Sequence, residues 1–224
     1  MTRAVLFDTE TTGFYPEEGD RVIEIAAIEL SNDLPTGETF YALLDPERDI
    51  PTDSTRIHGI TSAHVYGKPK FADIADDMLK FFGDSPLIAH NAPFDFGFLD
   101  AELARLQKPK LARDKMIDTL AIAKQIFPGM PNSLDALCRR FEIDLSARTT
   151  HNALLDCKLL AEVYVELTGG RQRGLTLETE QGLAFAIYQA PATRAIRLIT
   201  PTPEQKSAHE QFLGKLKEPI WLME

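Results

Sequence analysis

Ala4-Val5-Leu6-Phe7-Asp8-Thr9-Glu10-Thr11-Thr12-Gly13 carries four apolar residues directly into two carboxylates and a turn. An unbroken apolar run that ends in turn chemistry predicts a buried strand. Side chains two apart on a strand leave the same face, so Asp8 and Glu10 converge at its end. Like charges held that close are unfavourable unless a cation neutralises them, and oxygen donors of this kind suit Mg²⁺ or Mn²⁺. An Asp-x-Glu pair also describes a solvated strand end. The buried run before it and Thr11-Thr12-Gly13 after it weigh against that alternative.

Working outward, Val22 to Leu30 and Thr39 to Leu44 predict two more strands. The turn chemistry of Gly13-Phe14-Tyr15-Pro16-Glu17-Glu18-Gly19-Asp20 makes the first connection hairpin-like, so the sheet starts antiparallel. From Phe71 the period becomes helical, with Ile74, Met78, Phe81 and Phe82 on one face and Gly83 as a stop. Leu87 to Ala89 reads as a short buried strand. Pro93 fits the first turn of the helix that follows, whose inner face is predicted as Phe94, Phe98, Leu103 and Leu106. Met116 to Asp118 reads as a last strand, followed by helices over Leu120 to Ile126 and Ser133 to Phe141. A final helix from about Asn152 to Leu167 carries Leu155, Leu159, Val163 and Leu167 at four-residue spacing, and Gly169-Gly170 ends it. Strands first and then alternating helices and strands give an α/β fold, a mixed sheet flanked by helices.

With 224 residues the chain has room for one sizeable core and a tail. The expected division is a catalytic-sized domain over residues 1–168, a linker over 169–190 and a docking tail over 191–224. The formal net charge of −10 weighs against a protein that grips long duplex nucleic acid with its whole surface, although bound cations can reverse the local field where acids cluster. The N-terminus turns directly into a strand and no apolar run is long enough to span a bilayer, so the expected address is the cytoplasm, with no membrane partner. Cys138 and Cys157 sit inside apolar helical patterns without a CxxC partner and are expected as plain buried thiols.

Three further residues can join the first carboxylates. Asp95 and Asp156 each fall in the first turn of a predicted helix, where a negative charge also simply opposes the helix dipole. His151 lies five residues before Asp156, about 140° away on a continuous helix, so the two converge only if His151 precedes the first turn. Placed there, an imidazole with a reference pKa of about 6.5 suits a general base.

Phe7 to Gly13, His90-Asn91-Ala92-Pro93-Phe94-Asp95-Phe96-Gly97-Phe98 and His151-Asn152-Ala153-Leu154-Leu155-Asp156 resemble, in this order, the three motifs of the DEDD exonucleases of the His-containing subgroup. Within that family the chain is most similar to the epsilon proofreading subunits of bacterial DNA polymerase III. The likeness extends through Ile57-His58-Gly59-Ile60, Phe127-Pro128-Gly129, Asn132 to Cys138 and Ala161 to Tyr164, covering roughly residues 4–170. It implies a ribonuclease-H-like fold and 3′→5′ removal of mismatched terminal nucleotides from a DNA 3′ end. Asp8, Glu10 and Asp156 match direct metal ligands, Asp95 completes the acidic set and His151 matches the general base. Two divalent ions roughly 4 Å apart would activate the attacking water and stabilise the leaving 3′ oxygen. Thr12, His58 and Phe94 match positions that cradle the terminal nucleotide, together with Asp8, Glu10 and Asp156. Asp53 stands where the epsilon pattern suggests Glu, which leaves it a doubtful substrate contact, and Asn152 replaces a commonly smaller residue.

The tail resembles epsilon less closely, in Ser207 to Glu210 and Trp221-Leu222. There the family tail binds the polymerase III alpha subunit, and a small accessory subunit is a further partner the likeness admits. Thr202-Pro203-Glu204-Gln205 has a capping-box pattern before an apolar stripe of Ala208, Phe212, Leu213 and Leu216, and with Trp221 these form the expected docking residues. Gln172, Leu175 and Leu177 resemble a short peptide used by partners of the bacterial sliding clamp. The competing expectations are a free-standing exonuclease on RNA or short oligonucleotides and a non-catalytic replication scaffold; the intact acidic set disfavours the scaffold and the tail disfavours the free-standing enzyme.

Overall fold

The computed structural model describes residues 2–146, 148, 150–169 and 200–215. The chain divides into two units, Met1–Thr176 and Leu177–Glu224. In the first, β1 (Arg3–Thr11), β2 (Val22–Ser31) and β3 (Leu34–Leu43) form an antiparallel meander. Helices α1 (Thr52–His58), α2 (Ser62–Val65) and α3 (Phe71–Phe82) then lead to β4 (Leu87–Ala89), followed by α4 (Ala92–Arg105), β5 (Met116–Asp118), α5 (Thr119–Ile126), α6 (Leu134–Arg140) and α7 (Ala153–Leu167). The sheet has five strands in the order β3-β2-β1-β4-β5, with β4 and β5 running parallel to β1.

Alternation along the strands sorts the core into two layers. Val5 and Phe7 of β1, Ile25 and Ala27 of β2 and Leu87 and Ala89 of β4 pack with α3 and α4 residues such as Met78, Phe82, Phe96 and Leu103. Ala4 and Leu6, Ala26 and Ile28, and Ile88 face the other way, onto Ala123, Leu137, Cys157 and Leu160 of α5, α6 and α7. The two free thiols, Cys138 and Cys157, are buried in that second layer.

The structure departs from the sequence expectations in four places. Residues 52–65 form α1 and α2, which hydrophobic periodicity missed because their buried positions are only Ser54, His58 and Val65. β3 begins at Leu34, five residues before the expected Thr39, because Leu34 to Thr39 is an exposed edge with no apolar alternation to reveal it. The inner face of α4 is Phe96, Phe98, Leu99 and Leu103, whereas Phe94 and Leu106 are only partly buried. In α7 the buried face is broader than one stripe, since Cys157, Leu160, Ala161 and Tyr164 are covered as well, while Leu155 is half-buried. The helix lies across the middle of the sheet and so is enclosed over a wide arc.

In the second unit, α8 (Pro203–Leu213) starts at Thr202, whose hydroxyl accepts from the Gln205 N–H at 3.3 Å while Gln205 Oε1 accepts from the Thr202 N–H at 3.0 Å. This is the expected capping box. Phe212 is exposed and Leu213 partly buried; Leu216, Trp221 and the clamp-like residues Gln172, Leu175 and Leu177 lie outside the described residues.

One buried ion pair ties the meander to α4. Glu102, 2% exposed, accepts from Arg21 Nε at 2.7 Å, from Arg21 Nη2 at 3.0 Å and from the Val22 N–H at 3.2 Å. Removing one partner of such a pair leaves a buried charge uncompensated. Glu102→Ala is therefore expected to lower unfolding free energy by about 3 kcal/mol or more. Urea denaturation checks this, and a loss below about 1 kcal/mol would show that the pair is not holding the layers together.

Candidate active site

Strand parity sends the even-numbered residues of β1 toward α7 and the odd-numbered ones toward α4. Asp8 and Glu10 therefore share the α7 side with Leu6, and Asp156, in the first turn of α7, meets them there. Thr9 points the other way, and its N–H and hydroxyl donate to Asp95 Oδ1 on α4 at 3.2 and 2.7 Å. All four acids line one cavity. Glu10, Asp95 and Asp156 are 8%, 3% and 3% exposed, so little water is left to screen them.

The pKa shifts follow from that crowding. Burial, and then the charges of Asp156, Glu24 and Asp95, push the Glu10 carboxyl from 4.5 to about 8. Asp8 is raised by withdrawal from water and by Asp95, Glu10 and Asp156. Asp95 is lifted by burial to about 7, against the pull of its Thr9 hydrogen bonds. Burial acts on Asp156 too, but the hydrogen bonds and charge of Arg148 bring it below its ordinary value.

His151 precedes α7, as convergence requires. Asn152 is the N-cap, accepting from the Leu155 N–H at 3.1 Å, and His151 Nδ1 lies 3.5 Å from Asp156 Oδ2. Ligand atoms of Glu10, His151 and Asp156 all fall within 4.8 Å of one another. With Asp8 on the same cavity and two carboxyls raised by burial and by their acidic neighbours, this donor set fits a hard divalent cation.

The opposite wall consists of Phe14, Phe94, Ile57 and His58. The Phe14 and Phe94 rings are 6.4 Å apart, and Phe14 is exposed at the mouth. His58 is 5% exposed; its Nδ1 accepts from the Ile60 N–H at 3.0 Å, and among the described residues its Nε2 has no hydrogen-bond partner. Burial and the nearby His151 lower its pKa, so it is neutral with the proton on Nε2. Thr12 is fully buried, and its hydroxyl bonds Asp20 and the Arg21 N–H, both at 3.0 Å, rather than lining the cavity. Gly13 beside it leaves room for that carboxylate, because a Cβ there would stand 2.2 Å from Asp20 Oδ2 and displace it. Asp53 is exposed at the start of α1, paired with Arg56 and away from the cavity.

Two residues of the site escaped the sequence reasoning. Glu24, 2% exposed, sits opposite Glu10 across the β1–β2 pair and accepts from Tyr41 Oη at 2.7 Å, Ala153 N at 2.9 Å and Asn152 Nδ2 at 3.0 Å. It clamps the start of α7 to the sheet; its signal was an acid early in the apolar Val22–Leu30 run, whose other acid is Glu29. Arg148 bonds Asp156 through Nε at 2.6 Å and Nη2 at 2.8 Å.

The comparisons with known proteins agree with this geometry. The exonuclease family model matches residues 5–164. The DNA polymerase III epsilon subunit of Rickettsia felis is 46% identical over 222 residues, 96% of each chain. That of Escherichia coli K12 is 41% identical over 230 residues, 97% of this chain and 95% of its own. The chain belongs to the DNA polymerase III epsilon family of exonucleases. Among solved structures, exonuclease X in complex with 5′-overhanging duplex DNA superposes with a TM-score of 0.57 at 26% identity, over 75% of this chain and 91% of that one. Escherichia coli exonuclease I with a dT13 oligonucleotide, at 18% identity, shares the fold with a TM-score of 0.63 over 75% of this chain and 41% of its own. The ribonuclease-H-like fold implied by the motifs is thus the fold observed, and 3′→5′ proofreading exonuclease is the activity of the epsilon family.

The raised acids set a pH dependence. Between 4.5 and about 8 the native Glu10 holds a proton that the unfolded chain has lost, so stability falls as pH rises through this window. Asp8 and Asp95 act in the same direction. A cation that binds the ionised carboxylates opposes the loss. In chelator, melting temperature is expected to fall from pH 5.5 toward 8.5 and to recover most with Mn²⁺ at the upper end, while Glu10→Gln flattens the profile. Melting curves that show no difference between wild type and Glu10→Gln would refute this origin.

Proposed function

We propose that the cavity cuts single nucleotides from DNA 3′ ends, with Asp8, Glu10 and Asp156 holding two divalent ions, Mg²⁺ or Mn²⁺, and Asp95 completing the set. The observation that supports this most directly is the convergence of four acids and His151 beside an apolar, aromatic wall. When bound, the ions supply the positive charge that lowers the cost of ionising water and of the departing oxygen. The chain's own residues do the rest. His151, about half exposed at the rim, takes a proton from the attacking water. His58 presents its Nε2–H to an acceptor on the terminal nucleotide, and Phe14 and Phe94 offer ring faces to a base without reading its identity. Asp53, exposed and paired with Arg56, contributes little to substrate binding.

An acidic chain with a net charge of −10 holds DNA weakly by itself. We therefore place it in the cytoplasm on the polymerase III alpha subunit, through Phe212, Leu213, Leu216 and Trp221 of residues 191–224, which raises its effective concentration at a primer end. Residues 169–190 serve as the linker, with Gln172, Leu175 and Leu177 as the sliding-clamp peptide.

On a 3′-mismatched primer with Mg²⁺, wild type should release single nucleotides, chelator should stop it, and folded Asp8→Ala should be inactive. His151→Ala should lose on the order of 10² to 10⁴-fold in rate. Equal cleavage of an RNA oligonucleotide would favour a free-standing RNA enzyme, and near-normal turnover by Asp8→Ala would sink the assignment.

Trp221→Ala is expected to weaken binding to the polymerase subunit by about 1 kcal/mol or more, with cleavage of short single strands unchanged. Titration of the labelled full-length chain with the polymerase subunit measures the first and a nuclease assay the second; unaltered affinity would exclude Trp221 as an anchor.

A further inference from the structure

We propose that Arg148 is a positioning residue, a resident counter-cation that holds Asp156 and His151 and is drawn off toward Asp135 when divalent metal takes the carboxylate. The proposal rests on the assignment of Asp156 to the metal set. Arg148 engages both oxygens of Asp156, through Nε at 2.6 Å and Nη2 at 2.8 Å. The same Nη2 lies 3.0 Å from His151 Nδ1, and since a guanidinium only donates, that ring nitrogen is the acceptor. The remaining arm, Nη1, donates to Asp135 Oδ1 at 2.5 Å.

These contacts couple three groups through one rigid fork. Asp156 and Arg148 are 5% and 8% exposed at their side chains, so the pair is poorly screened. A second cation on Asp156 would stand within a few ångströms of the guanidinium, and two positive charges on one buried carboxylate repel. The fork cannot lose its proton to relieve this. Asp135, in the first turn of α6 and 39% exposed, offers a better-solvated carboxylate within its existing reach. Movement toward Asp135 would also release Nδ1 of His151, leaving the imidazole free to turn its lone pair to water. Arg148 thus keeps the acids and the base assembled before metal arrives and competes with the metal for them.

The test is Mn²⁺ titration of the full-length chain, followed by thermal shift and by calorimetry, for wild type, Arg148→Met, Arg148→Lys and Asp135→Asn. In chelator Arg148→Met should melt below wild type, yet its half-saturating Mn²⁺ concentration should fall, on the order of tenfold, the scale of a charge-assisted hydrogen bond. Arg148→Lys should lie between the two. Asp135→Asn should shift the midpoint the opposite way, to higher Mn²⁺, because Arg148 then has Asp156 alone. A merely structural arginine would lower stability without tightening metal binding. An Arg148→Met midpoint equal to or above that of wild type overturns the proposal, as does an unchanged midpoint for Asp135→Asn should Arg148→Met not fold. No Mn²⁺ response in wild type overturns the metal assignment itself.

Discussion

Four carboxylates crowded at the end of β1 repel one another, and the surrounding structure is organised to hold them there. Burial and then that repulsion drive the Glu10 carboxyl up to about 8, and burial lifts Asp95 to about 7. A surface cluster would relax by moving apart. Here Asp8 and Glu10 are fixed by the strand, Asp95 by two Thr9 hydrogen bonds and Asp156 by Arg148. The strain is local, and it is offset by apolar burial above and below the sheet.

Strand parity is what divides the labour. Because β1 is covered on both faces, its even positions meet α7 and its odd positions α4, so one short strand draws acids from two helices into one cleft. β1 lies between an antiparallel and a parallel neighbour. Its end therefore projects where β4 stops at Ala89 and the chain turns into α4, which leaves room for a substrate. Glu24 adds a second constraint. By accepting from Ala153 and Asn152 it ties the start of α7, and with it Asp156 and His151, to the strand opposite Glu10. The backbone of His151 is tied in turn to α1 through Ile57 O at 3.2 Å, beside His58.

Much of this was legible in the sequence because the relevant signals are local. A buried run ending in Asp8-x-Glu10, helix starts at Asp95 and Asp156, and a His placed before a capped turn need only periodicity and capping rules to be located. α1 was not legible, because it buries polar residues and carries no apolar stripe, though it supplies His58 and Ile57 to the cavity wall. Glu24 and Arg148 were missed for a different reason. Their partners are 129 and 8 residues away, and nothing in the spacing announces a charge that serves another charge. Thr12 shows the converse. Its place beside Gly13 matches a substrate position by motif, yet its hydroxyl closes the Asp20 turn.

The charge of the cavity decides how a nucleic acid can be held. Its described lining includes four acids and no Lys or Arg. On the proposed function the ionic attraction comes from bound metal, which would be local to the scissile bond and indifferent to the rest of the strand. The terminal nucleotide then meets the apolar wall of Phe14, Ile57 and Phe94 and the Nε2 of His58, which, like His90 Nε2 on the same lining, is unpartnered among the described residues. Stacking does not distinguish the bases strongly, and it favours an end that is already unpaired, since a base held in a duplex must first give up its own stacking. On that reading, discrimination between matched and mismatched ends would come from the cost of fraying rather than from recognition of the base. This is consistent with a small, acidic, weakly binding cavity.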